Sequence, residues 1–160
     1  MEAIECILTR RSVREYKEKP VAIELIKKLI QCGNAAPSAG NEHPFRFKIN
    51  KNREQLVSTN SVWLGNNEPL WHAYSAILVS YDNCALNNKY QWAYFQQDCS
   101  AAVENILLAA HSLDLGACWV GLDPNNESIL KFISELWYET QEEKSNFIPF
   151  AIITIGYKLD

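Results

Sequence analysis

Glycine is scarce and scattered in this sequence. The six glycines, Gly33, Gly40, Gly65, Gly116, Gly121 and Gly156, never fall into Gly-x-Gly-x-x-Gly or Gly-x-x-x-x-Gly-Lys. A dedicated dinucleotide-binding unit and a P-loop both need clustered glycines to bring backbone amides to phosphate, so neither is expected. The three histidines, His43, His72 and His111, stand far apart, with no His-Glu-x-x-His and no Cys/His cluster, and no metal site is expected. Cys6, Cys32, Cys84, Cys99 and Cys118 are an odd set without Cys-x-x-Cys, and they read as reduced core residues. No run approaches the roughly 18 apolar residues of a membrane span. Glu2 and Glu5 interrupt any secretory signal at the N-terminus. Repeats and low-complexity segments are missing too. With a net charge of −4 there is no general attraction to nucleic acid, so any anion site must be local. The expectation is a cytoplasmic protein without membrane or nucleic-acid partners.

What is present is a globular balance, 48% hydrophobic and 21% charged over 160 residues, which suits one domain spanning 1–160. An amphipathic run, Ile4-Glu5-Cys6-Ile7-Leu8, opens the chain. After Pro20, Ile23, Leu25, Ile26, Leu29 and Ile30 recur with helical period against Glu24, Lys27, Lys28 and Gln31, and Gly33-Asn34 offers a C-cap. A loop of small turn-forming residues follows over 35–44. Phe45, Phe47 and Ile49 alternate with Arg46 and Lys48 as in a half-buried strand, and residues 52–58 suit a short helix. Residues 62–71 have no clear period. The run 75–81 reads as a buried strand. A helix from about 92 to 113 is apolar around its circumference and needs cover on more than one side, for which a second subunit is a candidate. It is expected to end at Asp114 to Gly116. A short strand over 117–120, a helix capped by Asn125-Asn126 and running to Leu136, and a β-branched strand stopped by Gly156 complete the chain. The alternation of helix and strand predicts helices packed on a sheet that is at least partly parallel.

Charge is concentrated in Arg10-Arg11-Ser12-Val13-Arg14. If the chain is extended there, Arg10, Ser12 and Arg14 point to one side, and arginine forks with a hydroxyl suit a phosphate. Cations at a helix C-terminus are equally explained by the helix dipole. His111 and Cys118 fit core packing better than ligation or nucleophilic chemistry.

Arg10-Arg11-Ser12-Val13-Arg14, Ala36-Pro37-Ser38-Ala39-Gly40-Asn41-Glu42-His43-Pro44-Phe45 and Gly116-Ala117-Cys118-Trp119-Val120-Gly121, with a terminal Ile-Gly-Tyr, together resemble the FMN-dependent nitroreductase family. The blocks come in that family's order and cover nearly the whole chain. The resemblance implies an α+β fold, a three-layer sandwich with a central mixed sheet and helices on both faces, in a homodimer with FMN at each end of the interface. It implies that Arg10 and Ser12, assisted by Arg11, hold the flavin phosphate and ribityl chain, and that Arg14 lies at the pyrimidine edge. It further implies that Pro37, Ser38, Ala39 and Asn41 approach the flavin from the other subunit, and that backbone amides at Val120 and Gly121 meet the ring. Asp98 and Asn105, seven residues apart on the long helix, are further candidates to reach the site. Lys158 is the one tail cation available to complete the phosphate site, and the segment between Asp82 and Tyr90 is short, which leaves the acceptor range open. The implied activity is hydride transfer from NAD(P)H through FMN to nitroaromatics, quinones or similar acceptors, with no side chain required as acid or base. The alternatives are a flavin-binding protein without turnover, for storage or sensing, and a cofactor-free structural dimer.

Overall fold

The computed structural model describes residues 1–61, 68–85 and 93–159. In chain order these form α1 (Ala3–Thr9), α2 (Ile23–Asn34), a 3-10 turn (Ala39–Asn41), β1 (Phe45–Asn50), α3 (Arg53–Asn60), α4 (Glu68–His72), β2 (Ser75–Asp82), α5 (Phe95–Ser112), β3 (Leu115–Gly121), α6 (Glu127–Trp137), α7 (Gln141–Asn146) and β4 (Phe147–Tyr157). The aperiodic stretch read at 62–71 lies outside the described residues up to 67, and so does most of the short segment before Tyr90. Among the described residues no helix is long and apolar enough to cross a membrane.

Side-chain caps mark the starts of α3, α6 and α7. Asn52 accepts the Gln55 N–H at α3, Asn126 accepts the Ile129 N–H at α6, and Thr140 and Glu143 form a reciprocal capping box at α7. Helix α2 does not stop at a glycine cap: it continues through Asn34, and Gly33 faces inward. A Cβ there would lie 2.9 Å from Ile106 Cδ1 and 3.0 Å from Phe47 Cζ, so the missing side chain lets α2 sit against α5. Helix α5 ends one turn earlier than Gly116, with Asp114 taking the left-handed turn at φ 59°, and Gly116 belongs to β3.

The sheet has the order β1-β2-β4-β3, and every neighbouring pair is antiparallel. This corrects the expectation of a mixed, partly parallel sheet. The reason is visible in the topology. Strands β2 and β3, joined through α5, do run in the same direction, as alternation implies, but β4 enters between them and opposes both. Gly156 does not stop β4 either, since it pairs with Gly116 inside the ladder.

Side-chain alternation along the strands sends residues to two clusters. Ile77, Val79, Ile153 and Ile155 join Ile26 and Leu29 of α2 and Val103 and Ile106 of α5 on one face. Leu78 and Ile152 join Leu56 of α3, Leu70 of α4, and Ile133 and Trp137 of α6 on the other. Each large aliphatic side chain buried this way contributes roughly 1.5 to 3 kcal/mol. Two buried polar pairs sit among these side chains: Trp137 Nε1 donates to Thr59 Oγ1 at 3.0 Å, and Ser80 and Tyr138 share a hydroxyl hydrogen bond. Cys6, Cys99 and Cys118 are core residues as expected, whereas Cys84 is exposed and Cys32 only half-buried.

Ile106 is fully buried where α2, α5 and β1 meet. Ile106→Ala is expected to lower the unfolding free energy by about 2 to 5 kcal/mol, measured as a lower urea midpoint at unchanged slope. A loss under about 0.5 kcal/mol, the range of surface substitutions, would contradict this packing.

Candidate functional site

Helix α1 ends at Arg10, whose backbone turns extended after its N–H has closed on the Cys6 carbonyl. Residues 11–17 do not form a strand. They pass from the outer edge of β3 to the end of β4 with two isolated bridges, Ser12 to Ala117 in parallel and Tyr16 to Lys158 antiparallel. The Val13 N–H donates to the Ala117 carbonyl at 3.0 Å, and the Lys17 N–H to the Tyr157 carbonyl at 2.9 Å.

This crossing makes an open cavity of about 510 Å³ lined by Ser12, Val13, Arg14, Glu15, Lys158 and Leu159. Ser12 and Lys158, expected at a phosphate, and Arg14, expected at the pyrimidine edge, therefore share one concavity although Lys158 is 144 positions from Arg14. Lys158 Nζ is held at its rim by Asp114 Oδ1 at 2.9 Å. Arg10 stands beside it, its Nε 3.6 Å from Glu104 Oε1 on α5. Arg11 turns away and donates to the Leu8 and Arg10 carbonyls at 3.2 and 2.9 Å, closing the end of α1. Two titrating groups register the local field. Burial pushes the Cys118 thiol up, while Arg14, the Ser12 hydrogen bond and Arg10 pull it down. His111, bonded to Thr9 Oγ1 at 2.9 Å, is lowered first by partial burial and then by Lys158 and Arg10. The cavity's lining carries Arg14 and Lys158 together with Glu15.

The loop over 35–44 is held by its own polar side chains. Ser38 Oγ accepts the His43 N–H at 2.8 Å, and His43 Nε2 pairs with Asn41 Oδ1 at 3.0 Å. Gly40, Asn41 and His43 all have positive φ, which folds the loop tightly. Pro37 and Asn41 are exposed, and Ser38 and Ala39 half-buried. Asp98 and Asn105 serve this region. Asp98 Oδ1 accepts the Ala39 N–H at 3.0 Å, and Asn105 Nδ2 donates to the Cys32 carbonyl at 3.1 Å near the end of α2.

At the end of β3, Val120 is buried and Gly121 exposed. Ala117 uses its backbone on the outer edge, so by alternation Trp119 and Gly121 present their N–H groups along that same open edge. Val120 faces the ladder, opposite Ile152. The sequence reading did not single out Trp119, which is 37% exposed, with Nε1 4.0 Å from where a Gly121 Cβ would stand. Its ring lies 6.0 Å from that of Phe150. Phe150 is aimed there by a register shift in the β2–β4 ladder at Pro149, a residue that cannot donate to it.

Strands β1 and β3 are opposite edges of the sheet, three spacings or about 14 Å apart. Within one chain the loop over 35–44, which leads into β1, therefore does not meet the cavity and the open amides along β3.

The protein is thus an α+β fold with an open cavity, lined in part by Ser12, Arg14 and Lys158, against an exposed strand edge. A family model described as the nitroreductase family matches residues 7–64 and 50–157. A protein of Archaeoglobus fulgidus, provisionally named an NADH dehydrogenase/NAD(P)H nitroreductase, is 36% identical over 159 residues, 99% of this chain and 87% of that one. A solved structure from Parabacteroides distasonis with the same provisional name has a TM-score of 0.85 at 34% identity, covering 99% of this chain and 88% of that one. A provisionally named nitroreductase from Desulfovibrio desulfuricans, solved in complex with FMN, has a TM-score of 0.77 at 28% identity and covers 100% of this chain and 88% of that one. The chain belongs to the nitroreductase family.

Asp98 is 7% exposed, and burial raises its pKa above the ordinary aspartate value, with the Ala39 N–H and His43 partly offsetting this. A raised carboxyl favours the folded state below the ordinary aspartate range, and that advantage is lost as pH rises through the raised value. Asp98→Asn, which keeps an acceptor for Ala39, is expected to be at least as stable as the parent at neutral pH, with the difference shrinking in acid. Urea unfolding at the two pH values measures it; a variant less stable at neutral pH would contradict the assignment of burial as the dominant cause.

Proposed function

We propose that this chain is an FMN-dependent oxidoreductase acting as a homodimer in the cytoplasm. The observation that carries the reading is the meeting of Ser12, Arg14 and Lys158 in one cavity beside the open amides of β3. The donor set fits the group: a hydroxyl and an ammonium suit a phosphomonoester, and the Arg14 guanidinium with an unpaired strand N–H at Gly121 suits the polar edge of a planar ring. Arg10 would add charge from beside the cavity. When bound, FMN would take hydride from NAD(P)H and pass it to nitroaromatic, quinone or similar acceptors. The chain's own part is binding, orientation and electrostatics. Trp119 and Phe150 offer an aromatic wall next to Gly121, where a flat acceptor or a nicotinamide can stack.

A second copy would complete the site and the three-layer sandwich. Two observations support it. The loop with Pro37, Ser38, Ala39 and Asn41 sits at the wrong edge to serve its own chain's cavity. Helix α1 leaves Ile4, Ile7 and Leu8 between 56% and 70% exposed beside an apolar groove of about 460 Å³ that reaches Cys32 and Leu108.

Titration of the apoprotein with FMN, followed by flavin fluorescence, is expected to saturate. Arg14→Ala should weaken binding by about 1.5 to 3 kcal/mol, the value of a charged hydrogen bond; unchanged affinity would remove Arg14 from the site. With FMN bound, NADPH oxidation that depends on an added quinone or nitroaromatic supports the enzyme. Flavin that binds and never cycles would favour storage or sensing. Separately, Ile7→Asp is expected to yield monomers in sedimentation and to lose FMN, whereas a dimer that persists would place the interface elsewhere.

A further inference from the structure

The loop over 35–44 fixes the His43 side chain from several directions. The His43 N–H donates to Ser38 Oγ at 2.8 Å, its carbonyl accepts from Arg46 Nη1 at 3.1 Å, and Arg46 Nη2 in turn donates to Asp82 Oδ2 at 2.7 Å. The imidazole stands edge-on to the buried Phe45 ring, with centroids 5.6 Å apart. The ring is thereby oriented, and its nitrogens have different surroundings. Nδ1 is buried with no hydrogen-bond partner among the described residues, whereas Nε2 lies 3.0 Å from Asn41 Oδ1. A hydrogen on Nδ1 would be a buried donor without an acceptor, a state that folded proteins avoid. A carboxamide oxygen can only accept, so the nitrogen facing it must carry the hydrogen. Both observations put the hydrogen on Nε2.

The consequence reaches Asn41. Its oxygen is occupied by His43, so its amide N–H groups are the ones turned away from the ring, at an exposed position. The opposite tautomer would reverse the carboxamide, with Nδ2 toward the ring and the oxygen outward. The imidazole therefore decides whether Asn41 shows a donor or an acceptor. We infer that His43 is a positioning residue: it holds the Asn41 carboxamide with its oxygen inward and its donors outward, so that the loop recognises an acceptor atom of its ligand. This rests on the reading above, in which Asn41 approaches the flavin held by the other subunit. A flavin offers such acceptors in its carbonyl oxygens, ring nitrogens and ribityl hydroxyls. A donor fixed beforehand does not have to be ordered by the ligand.

The tautomer is tested without flavin. In a long-range proton–nitrogen correlation spectrum of the apoprotein, the imidazole signals removed by His43→Gln are expected to show the hydrogen on Nε2; a hydrogen on Nδ1 overturns the inference and leaves the flavin reading standing. The role is tested by FMN titration followed by flavin fluorescence, with circular dichroism confirming the fold of each variant. Asn41→Asp keeps an acceptor for His43 but removes the outward donor, and is expected to weaken FMN binding about three- to tenfold, the scale of one hydrogen bond. His43→Asn suits the left-handed backbone at φ 48° yet sets its amide at the Nδ1 position, and is expected to cost a similar factor. His43→Gln, whose amide reaches the Nε2 position, should stay within about twofold of the parent. In an Asn41→Ala background His43→Asn is expected to have no further effect, because it acts through Asn41. A merely structural role would make the two losses add; additive losses, or an Asn41→Asp variant that binds FMN like the parent, overturn the inference. A parent that takes up no FMN overturns the flavin reading itself.

Discussion

Strand β4 enters the sheet between β2 and β3, and the geometry of the site follows from that insertion. It separates two strands that run in the same direction and opposes both, so hydrogen bonding is antiparallel throughout. It makes β3 an edge strand, along which the N-terminal segment bridges at Ala117. Its last residues carry Lys158 next to Ser12 and Arg14, which closes a cavity from the two ends of the chain. The same insertion sends β1 to the far edge and takes the loop over 35–44 with it. On the proposed reading, that separation is why one chain holds two halves of a site that belong to different flavins.

Packing enforces the arrangement at a few close approaches. Gly33 lets α2 press on Ile106 and Phe47, and the Gly116–Gly156 pair lets Val13 and Tyr16 press on the sheet. In each case the absence of a side chain is the specific contact. These positions tolerate change poorly, because an added methyl meets the packed atoms of a neighbour within 3 Å.

Much of the fold was legible in the residues. The helical spacing of Ile26 and Leu29, the alternation of Phe45 to Ile49 and the uninterrupted run over 75–81 each reported their element, because one-sided or two-sided burial writes its own period. Asn126 announced α6 by its cap, and Thr140 to Glu143 carried a capping-box pattern that was present but unread. Strand direction was not legible, since it depends on where the last strand docks, through pairings that span 30 or more residues of sequence. Of the site, the cations and the small-residue loop were visible as motifs. Their partners were not. Tyr16 and Thr154 look like ordinary core residues until the register joins their hydroxyls, and Trp119 with Phe150 becomes a pair only through a shifted register at Pro149. Gly33 and Gly116 were read as helix stops because sequence alone favours the cap meaning of glycine over close approach.

The central claim of the proposed function is that one flavin site draws on two chains. It is tested most directly by mixing two defective chains, one carrying Arg14→Ala and the other Ala39→Trp, and measuring FMN bound per purified mixed dimer. Each homodimer is damaged at both sites. The mixed dimer would contain one site with both defects and one with neither, so the account predicts one tightly bound FMN per mixed dimer. Mixed dimers that bind no FMN at the parent's affinity would contradict it.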